Sequence, residues 1–406
     1  MAESDGARGT ELELEVTGVA HGGISVARHE GRVVFVSDTI PGETVIARVT
    51  EASKKSFWRA ETVRVLTPSE HRQPHIWSAT SIDRPPVDRA GGAEFGHIRI
   101  EHQRELKRQV LADALKRMAG IESDVTVEAL PGNADGTGWR TRVRLQVSEA
   151  GRPGPFAARS HRVIEVSDLP LATAAVAEAA PFDQLFPGVE HIDVLEPTTS
   201  GARLIVGRQK PVVIRELVGD REFRLDDGGF WQVHRHAAAT LTTAVQDAID
   251  DALFDPRAHN LDLYGGVGLL AAAVGDRFGS TTRITSVESD SRATEHAGEN
   301  LADWLGARAV TARVERWIAN LATYGEKLKS ATVVLDPPRS GAGSAVVEAL
   351  VTLAPAQLVY VACDPVALSR DIGLFRERGY ELDGLRAFDL FPNTHHVEAV
   401  ARLVHR

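Results

Sequence analysis

The only cysteine of this 406-residue chain, Cys363, follows the apolar stretch QLVYVA and precedes Asp364. A lone cysteine is most often a small buried hydrophobic residue. The stretch before it predicts a buried strand, however, and functional side chains gather where the strands of an open parallel sheet end. A thiolate at such a strand end could act as a nucleophile if its pKa were lowered. Cys363 is therefore a candidate catalytic residue.

Two acidic residues are predicted at the same edge of the sheet. Asp336 follows the apolar stretch ATVVL and begins residues 336–341 (DPPRSG), where two prolines stiffen the backbone and remove two amide donors. Glu398 begins the last predicted strand, next to His395 and His396. A solvated aspartate in a proline-rich turn and an exposed glutamate in a surface turn are the alternatives. The two histidines have no third ligand at a suitable spacing, so no metal site is predicted.

A glycine-rich turn joins a predicted strand to a predicted helix at residues 261–272 (LDLYGGVGLLAA). Gly266, Gly268 and Ala271 match the pattern G-x-G-x-x-A, in which glycines let the backbone approach a nucleotide at the helix N-terminus. Glu288 ends the next predicted strand, where it could accept hydrogen bonds from ribose hydroxyls. NAD, FAD or S-adenosylmethionine could each explain this loop, and so could a tight turn with a purely structural role.

The elements that must position these residues follow a repeating order. From about residue 230, apolar strands alternate with helices, which predicts a parallel sheet covered on both faces. The last two strands are close enough to pair as an antiparallel hairpin. Residues 11–66 contain short β-branched segments separated by turn residues, which predicts a small OB-like β-barrel. Residues 67–97 indicate a linker or irregular segment, and residues 101–119 predict a helix that Gly120 ends.

Arginines recur along one predicted strand, residues 139–147. Alternation places Arg140, Arg142 and Arg144 on one face. Residues 139–162 contain six arginines and one glutamate, inside a chain of net charge −10. Such a strand suits phosphate contacts and base stacking, although a solvated edge would show the same pattern.

The predicted barrel carries a second group of cations. Lys54, Lys55 and Arg59 surround Phe57 and Trp58. Basic side chains mixed with aromatic ones suit single-stranded RNA. Residues 1–66 contain more acidic than basic residues, so the barrel cannot bind RNA through its bulk charge.

Composition limits the class of protein. Hydrophobic residues make up 43% and charged residues 25%, which is typical of globular domains and excludes a disordered or fibrous chain. At about 100–200 residues per domain, the length predicts two or three domains. One cysteine allows no intramolecular disulfide, the first thirty residues lack a signal-peptide pattern, and no apolar run approaches the ~18 residues of a membrane helix. We expect a cytoplasmic, monomeric protein that does not contact membranes.

Taken together, these motifs resemble those of the S-adenosylmethionine-dependent RNA 5-methyluridine methyltransferases, which methylate uracil C5 in tRNA and 23S rRNA. The resemblance covers nearly the whole chain. Its N-terminal part, GVAHGGISVA and IPGETVIARV, resembles the TRAM barrel of that family. The other matching segments are FWQVH (230–234), DLYGGVG (262–268), Glu288, DPPRSG (336–341), CDP with the following SRD (363–371) and HVE (396–398).

The resemblance implies an α/β fold in three parts. These are a small all-β, OB-like TRAM barrel that binds RNA (1–67), a central α+β region (68–225) and a Rossmann-like class I methyltransferase domain (226–406). Cys363 would be the nucleophile and Glu398 the general base, with S-adenosyl-L-methionine as cofactor and rRNA or tRNA as partner. RNA contacts would come from Lys54, Lys55, Arg59, Arg140, Arg142 and Arg144. Cofactor contacts would come from Gln232, Tyr264, Gly266, Gly268, Glu288 and Asp336.

The chain departs from the family where many members hold an iron–sulfur cluster. Their C-G-G-C run corresponds to residues 90–93 (AGGA), ahead of His97, and a later cysteine corresponds to Asp168 or Leu169. No iron–sulfur cluster is therefore expected, and packing must hold this segment instead.

Three further departures concern the predicted pocket. Leu269 replaces a polar residue of several relatives, Ala367 replaces a common threonine, and CDP replaces the commoner CNP. Two alternatives to the methyltransferase stay open at this point. One is an RNA-binding protein whose catalytic pocket has decayed, and the other is an NAD-dependent oxidoreductase that uses the same glycine loop.

Overall fold

The N-terminal part of the chain forms a closed barrel of five strands in the order β1-β2-β3-β5-β4. The computed structural model describes residues 7–405 except residues 55, 159, 324, 326 and 327. Buried valines and alanines alternate with more exposed residues along these strands and fill the barrel interior, which confirms the predicted OB-like barrel. The strands are β1 (Glu11–Ala20), β2 (Ile24–His29), β3 (Arg32–Ser37), β4 (Thr44–Glu51) and β5 (Phe57–Thr67).

The segment after the barrel is irregular, as predicted, but it is not a loose linker. Arg72 forms an ion pair with Glu43, whose side chain is fully buried, at 2.6 Å. Arg89 pairs with Asp38 at 2.9 Å and donates a hydrogen bond to the carbonyl of Thr62. Because both arginines bind residues of the barrel, the segment fixes the barrel to the rest of the molecule.

The central part contains a four-stranded sheet, in the order β10-β9-β7-β8, and the hairpin β11-β12. The predicted helix is confirmed: a π-helical turn over Leu115–Ala119 extends the first helix, and Gly120, at φ 64°, follows it. The elements are α1 (Ile100–Ala114), β6 (Val127–Ala129), β7 (Arg142–Val147), β8 (Pro153–Gly154), α2 (Ala174–Ala179), β9 (His191–Leu195), β10 (Arg203–Val206), β11 (Val213–Val218) and β12 (Arg221–Asp226).

The C-terminal part is built on an eight-stranded sheet in the order β15-β14-β13-β16-β17-β19-β18-β6. The first five of these strands are parallel, and β19 runs antiparallel to β17 and β18. The further elements are α3 (Ala237–Ala248), β13 (Asn260–Leu263), α4 (Leu269–Phe278), β14 (Ile284–Glu288), α5 (Ser291–Asn300), β15 (Ala307–Thr311), α6 (Val314–Thr323), β16 (Thr332–Leu335), α7 (Gly343–Leu353), β17 (Gln357–Ala362), α8 (Pro365–Arg376), β18 (Tyr380–Asp389) and β19 (Glu398–His405).

Helices cover both faces of this sheet, as the continuous apolar strands predicted. Every residue of β13, β16 and β17 is buried. Residues of α1, α6, α7 and α8 pack on one face, and residues of α3 and α4 pack on the other. Because β19 is antiparallel, its first residue lies at the edge where the parallel strands end.

Part of the central region joins the large sheet. Strand β6 pairs in parallel with β18, and α1 packs against α8. The predicted domain boundaries at residues 67 and 225 stay a prediction. In the described residues no helix combines the length and apolar character needed to cross a membrane.

Candidate active site

Three of the predicted reactive residues meet at one edge of the large sheet. Asp336 follows β16, Cys363 follows β17, and Glu398 is the first residue of β19. All three line a cavity of about 1360 Å³. The antiparallel turn of the chain before β19 is what places Glu398 beside two residues that end parallel strands.

The glycine turn between β13 and α4 shapes one wall of this cavity. Gly266 has φ 54° and Gly268 has φ 90°, a left-handed conformation that glycine adopts without strain. Gly268 forms the N-cap of α4. A Cβ atom on Gly265 would lie 2.0 Å from the Ser286 hydroxyl oxygen, so only glycine fits there. The turn thus brings bare backbone to the cavity, as the pattern predicted.

Glu288 is held at the mouth of this turn. Its carboxylate accepts hydrogen bonds from the amide nitrogens of Gly266 at 3.2 Å and Asp290 at 2.8 Å. Gln232 and Tyr264 line the same cavity. The sequence predicts six residues that contact the cofactor. Five of them line the cavity: Gln232, Tyr264, Gly266, Glu288 and Asp336. Gly268 is not among the residues that line it and instead forms the N-cap of α4.

Carboxyl groups dominate the electrostatics of the site. Burial, and then the nearby Asp262, raises the pKa of Asp336 to about 7. Burial also raises the pKa of Asp262 to about 7, although that carboxylate accepts a hydrogen bond from the Ser286 hydroxyl at 2.9 Å. Burial and then Asp336 raise the pKa of Glu398 well above its usual value. Three acidic side chains therefore share one poorly solvated region.

The thiol of Cys363 is held in its neutral form. Burial, followed by Glu398 and Asp336, raises its pKa to about 12, and the Arg339 guanidinium opposes this shift. A general base or a change in local charge must therefore assist thiolate formation.

The donor set around the cavity fits a nucleoside that carries a positive charge. Glu288 can accept from ribose hydroxyls at the end of β14, and the glycine turn admits the nucleoside against bare backbone. A cation bound beside Asp336 would stabilise the ionised form of its carboxyl group. The residues present therefore fit a cationic nucleoside cofactor.

The predicted arginine face is divided among different environments. Arg140 is half-buried and lines the cavity, and its pKa is lowered by burial and then by the nearby Arg339. Arg142 pairs with the buried Glu216 at 3.3 Å and donates to the carbonyl of Gly229. Arg144 also lines the cavity and holds Asp193 through two hydrogen bonds of 2.7 and 2.8 Å. RNA binding by these arginines stays a prediction, and Arg142 already has a structural role.

The basic and aromatic residues of the barrel lie away from the cavity. Lys54 is exposed, and Arg59 lies 3.5 Å from Glu51 and over the ring of Phe57 at 5.7 Å. Lys55 lies outside the described residues. Arg32, which sequence reasoning missed, stacks over Trp58 at 4.2 Å. The parallel pairing of β3 with β5 creates this contact, and no local sequence signal indicates it.

Sequence reasoning also missed part of the cavity mouth. Arg208 and Lys210, in the loop between β10 and β11, line the cavity and are exposed. Phe230 lines it with 75% of its surface exposed. Leu269 and Ala367, the two replaced family positions, are buried and are not among the residues that line the cavity. The present side chains of these two positions therefore offer no contact in the described cavity wall.

Packing holds the segment in which relatives carry cluster cysteines. Ala90 and Ala93 are fully buried and belong to one hydrophobic cluster with Trp77 and Leu169. Asp168 accepts a hydrogen bond from the Trp77 indole at 2.8 Å. Within the described part of the chain, no group of three or more His, Cys, Asp or Glu residues is arranged to hold a metal ion.

Comparisons with known proteins agree with this architecture. Residues 7–60 match the family model of the TRAM domain, and residues 311–406 match that of tRNA (Uracil-5-)-methyltransferase. The chain is 39% identical to an uncharacterized RNA methyltransferase of Streptomyces coelicolor, over 97% of this chain and 93% of that protein. It is 38% identical to another from Streptomyces avermitilis, over 97% and 98% of the two chains.

A solved structure shares the fold. The tRNA (uracil-54, C5)-methyltransferase of Pyrococcus abyssi, in complex with S-adenosyl-L-homocysteine, superimposes with a TM-score of 0.71 at 20% identity. The match covers 97% of this chain and 100% of that one. The fold is thus that of a TRAM barrel joined to a Rossmann-like class I methyltransferase, as the sequence predicted. The level and coverage of identity to the Streptomyces proteins show that the chain belongs to the RNA methyltransferases of the tRNA (uracil-5-)-methyltransferase family.

Proposed function

We propose that this protein transfers a methyl group from S-adenosyl-L-methionine to C5 of a uridine in structured RNA, either rRNA or tRNA. The observation that carries the proposal is the meeting of Cys363, Glu398 and Asp336 in one cavity beside the glycine turn. Membership of the RNA methyltransferase family favours this reaction over an NAD-dependent oxidoreductase.

The cofactor-binding half of the cavity belongs to β13, β14 and β16. Glu288 binds the ribose hydroxyls, and the turn at Gly266 accommodates the nucleoside. Gln232 and Tyr264 line the same space, and Asp336 offers its carboxyl group to the positive end of the ligand. S-adenosyl-L-methionine supplies an electrophilic methyl group on a positively charged sulfur.

Cys363 provides the nucleophile. Uracil C5 is a poor nucleophile. The Cys363 thiol therefore first gives its proton to solvent, the thiolate forms a bond to C6, and the electrons of the C5–C6 double bond move onto the C4 carbonyl oxygen as an enolate. C5 can then accept the methyl group. The target base must leave its stack to reach the sulfur, and the cavity is large enough to receive a base together with a nucleoside.

Glu398 completes the reaction as general base. It removes the C5 proton, the C5–C6 double bond re-forms, and the bond between C6 and the Cys363 sulfur breaks. Glu398 must be ionised to take this proton, and burial then makes its poorly solvated carboxylate a stronger base.

Incubation with labelled S-adenosyl-L-methionine and cellular RNA that lacks 5-methyluridine tests the proposal. We expect label in 5-methyluridine with the wild-type protein and none with Cys363→Ala. Glu398→Gln should accumulate a covalent protein–RNA adduct, because the C5 proton is no longer removed. Glu348→Gln, at an exposed glutamate on α7, is the matched control and should methylate like wild type.

For each proposed step, one experimental result would contradict the proposal. Methylation by Cys363→Ala at the wild-type rate would refute the role of Cys363 as nucleophile. If Glu398→Gln methylates RNA repeatedly and no adduct accumulates, the role of Glu398 as general base is refuted. Tight RNA binding by the wild-type protein without methyl incorporation supports the decayed-pocket alternative.

A further inference from the structure

The turn between β1 and β2 of the barrel reaches the residue that follows the nucleophile. His21 Nε2 lies 3.2 Å from Asp364 Oδ2. The other oxygen of Asp364 accepts hydrogen bonds from the amides of Val366 at 3.0 Å and Ala367 at 2.8 Å, which caps the N-terminus of α8. One carboxylate therefore caps the helix that begins after Cys363 and binds the barrel at the same time.

A second contact from the same turn reaches the segment before Glu398. Gly23 has φ 70°, and a Cβ atom at this position would lie 2.7 Å from Cβ of His395. His396, the next residue, lines the cavity. The turn thus abuts both segments that carry the proposed catalytic residues, at the paired ends of β17 and β19.

The position of this turn is firm because the barrel itself is anchored. Glu43 and Asp38, in the barrel, receive Arg72 and Arg89 from the segment after it. A displacement of the barrel as a whole would have to break these largely buried ion pairs, which is costly. The barrel can therefore act as a fixed support for the start of α8.

We propose that His21 is a positioning residue for the methyl transfer: its contact with Asp364 fixes the start of α8 and so orients the Cys363 sulfur. The inference rests on the proposed function for its kinetic consequence. It also explains the CDP sequence, since an aspartate supplies both a helix cap and a charged partner for a histidine. The barrel is thereby linked to the catalytic step as well as to RNA binding.

The strength of the contact should depend on pH. The hydrogen bond to Asp364 raises the pKa of His21, and the same contact lowers that of Asp364. Glu94 and His395, which lie 3.5 Å apart, also face the turn. The same small pocket beside Gly22 and Gly23 is lined by four further charged residues, Asp38, Glu61, Arg89 and Arg144. Protonated His21 binds most strongly, so the contact is complete below the ordinary histidine pKa and weakens as pH rises through the raised value.

His21→Gln, His21→Lys and the control Arg28→Gln test this role. Arg28 is an exposed cation in the same hairpin, and in the described part of the chain it has no ion pair. His21→Gln should lower kcat on the order of fivefold, the size expected for a partly exposed ion pair, with KM for RNA within about twofold. The wild-type advantage over His21→Gln should shrink as pH rises above the ordinary histidine pKa of about 6.5, because His21 then loses its charge. His21→Lys retains a charge that does not titrate in this range, so it should keep the kcat that wild type shows at low pH even where wild-type kcat has begun to fall.

Hydrogen exchange gives a readout that needs no catalysis. Loss of the contact loosens the cap, so the amides of Val366 and Ala367 should exchange faster in His21→Gln than in wild type or Arg28→Gln. If His21→Gln shows this faster exchange but the wild-type protein does not methylate RNA, the contact is supported and the proposed function is refuted. Unchanged kcat and exchange in His21→Gln, with an active wild-type enzyme, would overturn the inference. An increase in KM alone would also overturn it, because it would identify His21 as an RNA contact.

Discussion

Asp336 should make cofactor binding depend on pH in a range where ordinary aspartates are already ionised. Its carboxyl group is buried beside Asp262, and its pKa is raised to about 7. A positively charged ligand favours the ionised form of the group. Binding of S-adenosyl-L-methionine below that pKa must therefore release a proton, and the affinity should rise with pH.

The size of the effect follows from the raised pKa. About one site in ten has an ionised Asp336 at pH 6, so the dissociation constant should be about tenfold higher there than its limiting value above pH 8. An aspartate with an ordinary pKa would be almost fully ionised at both pH values and would give no change. The difference between these cases is large enough to measure by titration.

Isothermal titration of S-adenosyl-L-methionine into wild type and Asp336→Asn at pH 6, 7 and 8 provides the test. The amide cannot ionise, so the variant should bind weakly at every pH. The ratio of the two dissociation constants removes the titration of the ligand's own amino group.

A ratio that stays constant from pH 6 to pH 8 would refute the reasoning, because Asp336 would then be ionised before the ligand arrives. Equal affinity of Asp336→Asn and wild type at pH 8 would refute the contact itself. A ratio that rises about tenfold over this range, with proton release at pH 6, is the expected result.

Two further predictions concern stability and RNA binding. Lys107→Met should reduce the free energy of unfolding by about 3–5 kcal/mol in urea titrations, because it leaves the buried Asp389 without the ammonium that now lies 2.5 Å away. Adding Asp389→Leu should restore most of that loss, and a double variant as unstable as the single one would contradict the argument. Joint replacement of Arg208 and Lys210 by alanine should remove about two phosphate contacts. The slope of the logarithm of RNA affinity against the logarithm of salt concentration should fall accordingly, with cofactor affinity unchanged. An unchanged salt slope would show that this loop does not contact RNA.

The sequence predicted those parts of the fold whose causes are local. Continuous apolar strands, the glycine turn at Gly266 and the helix end at Gly120 all depend on short stretches of chain, and the structure contains each of them. The meeting of Asp336, Cys363 and Glu398 at one edge also followed from where their strands begin and end. Periodicity and strand direction were sufficient for these features.

Contacts between distant segments could not be predicted in the same way. The predicted linker is irregular, but Arg72 and Arg89 anchor it to acidic residues of the barrel that lie about 30 to 50 positions earlier. Arg142 alternates with its neighbours as a basic face requires, yet Glu216 neutralises it from another strand. Which cations remain available to RNA is decided by these partners, and the residue pattern of a single strand does not contain them.

The neutral state of Cys363 follows from the groups that surround it. Glu398 and Asp336 both raise the pKa of the thiol, and Arg339 lowers it. A positive charge bound at Asp336 offsets one of the two opposing carboxylates, so thiolate formation becomes less unfavourable once the cofactor site is filled. A thiol that ionises only in the loaded site is protected from oxidation and alkylation while the site is empty, since the thiolate is the reactive form. We therefore expect the buried acids to link the reactivity of Cys363 to occupancy of the proposed cofactor site, so that a cysteine alkylating reagent should modify the protein faster when S-adenosyl-L-homocysteine is replaced by a cationic ligand.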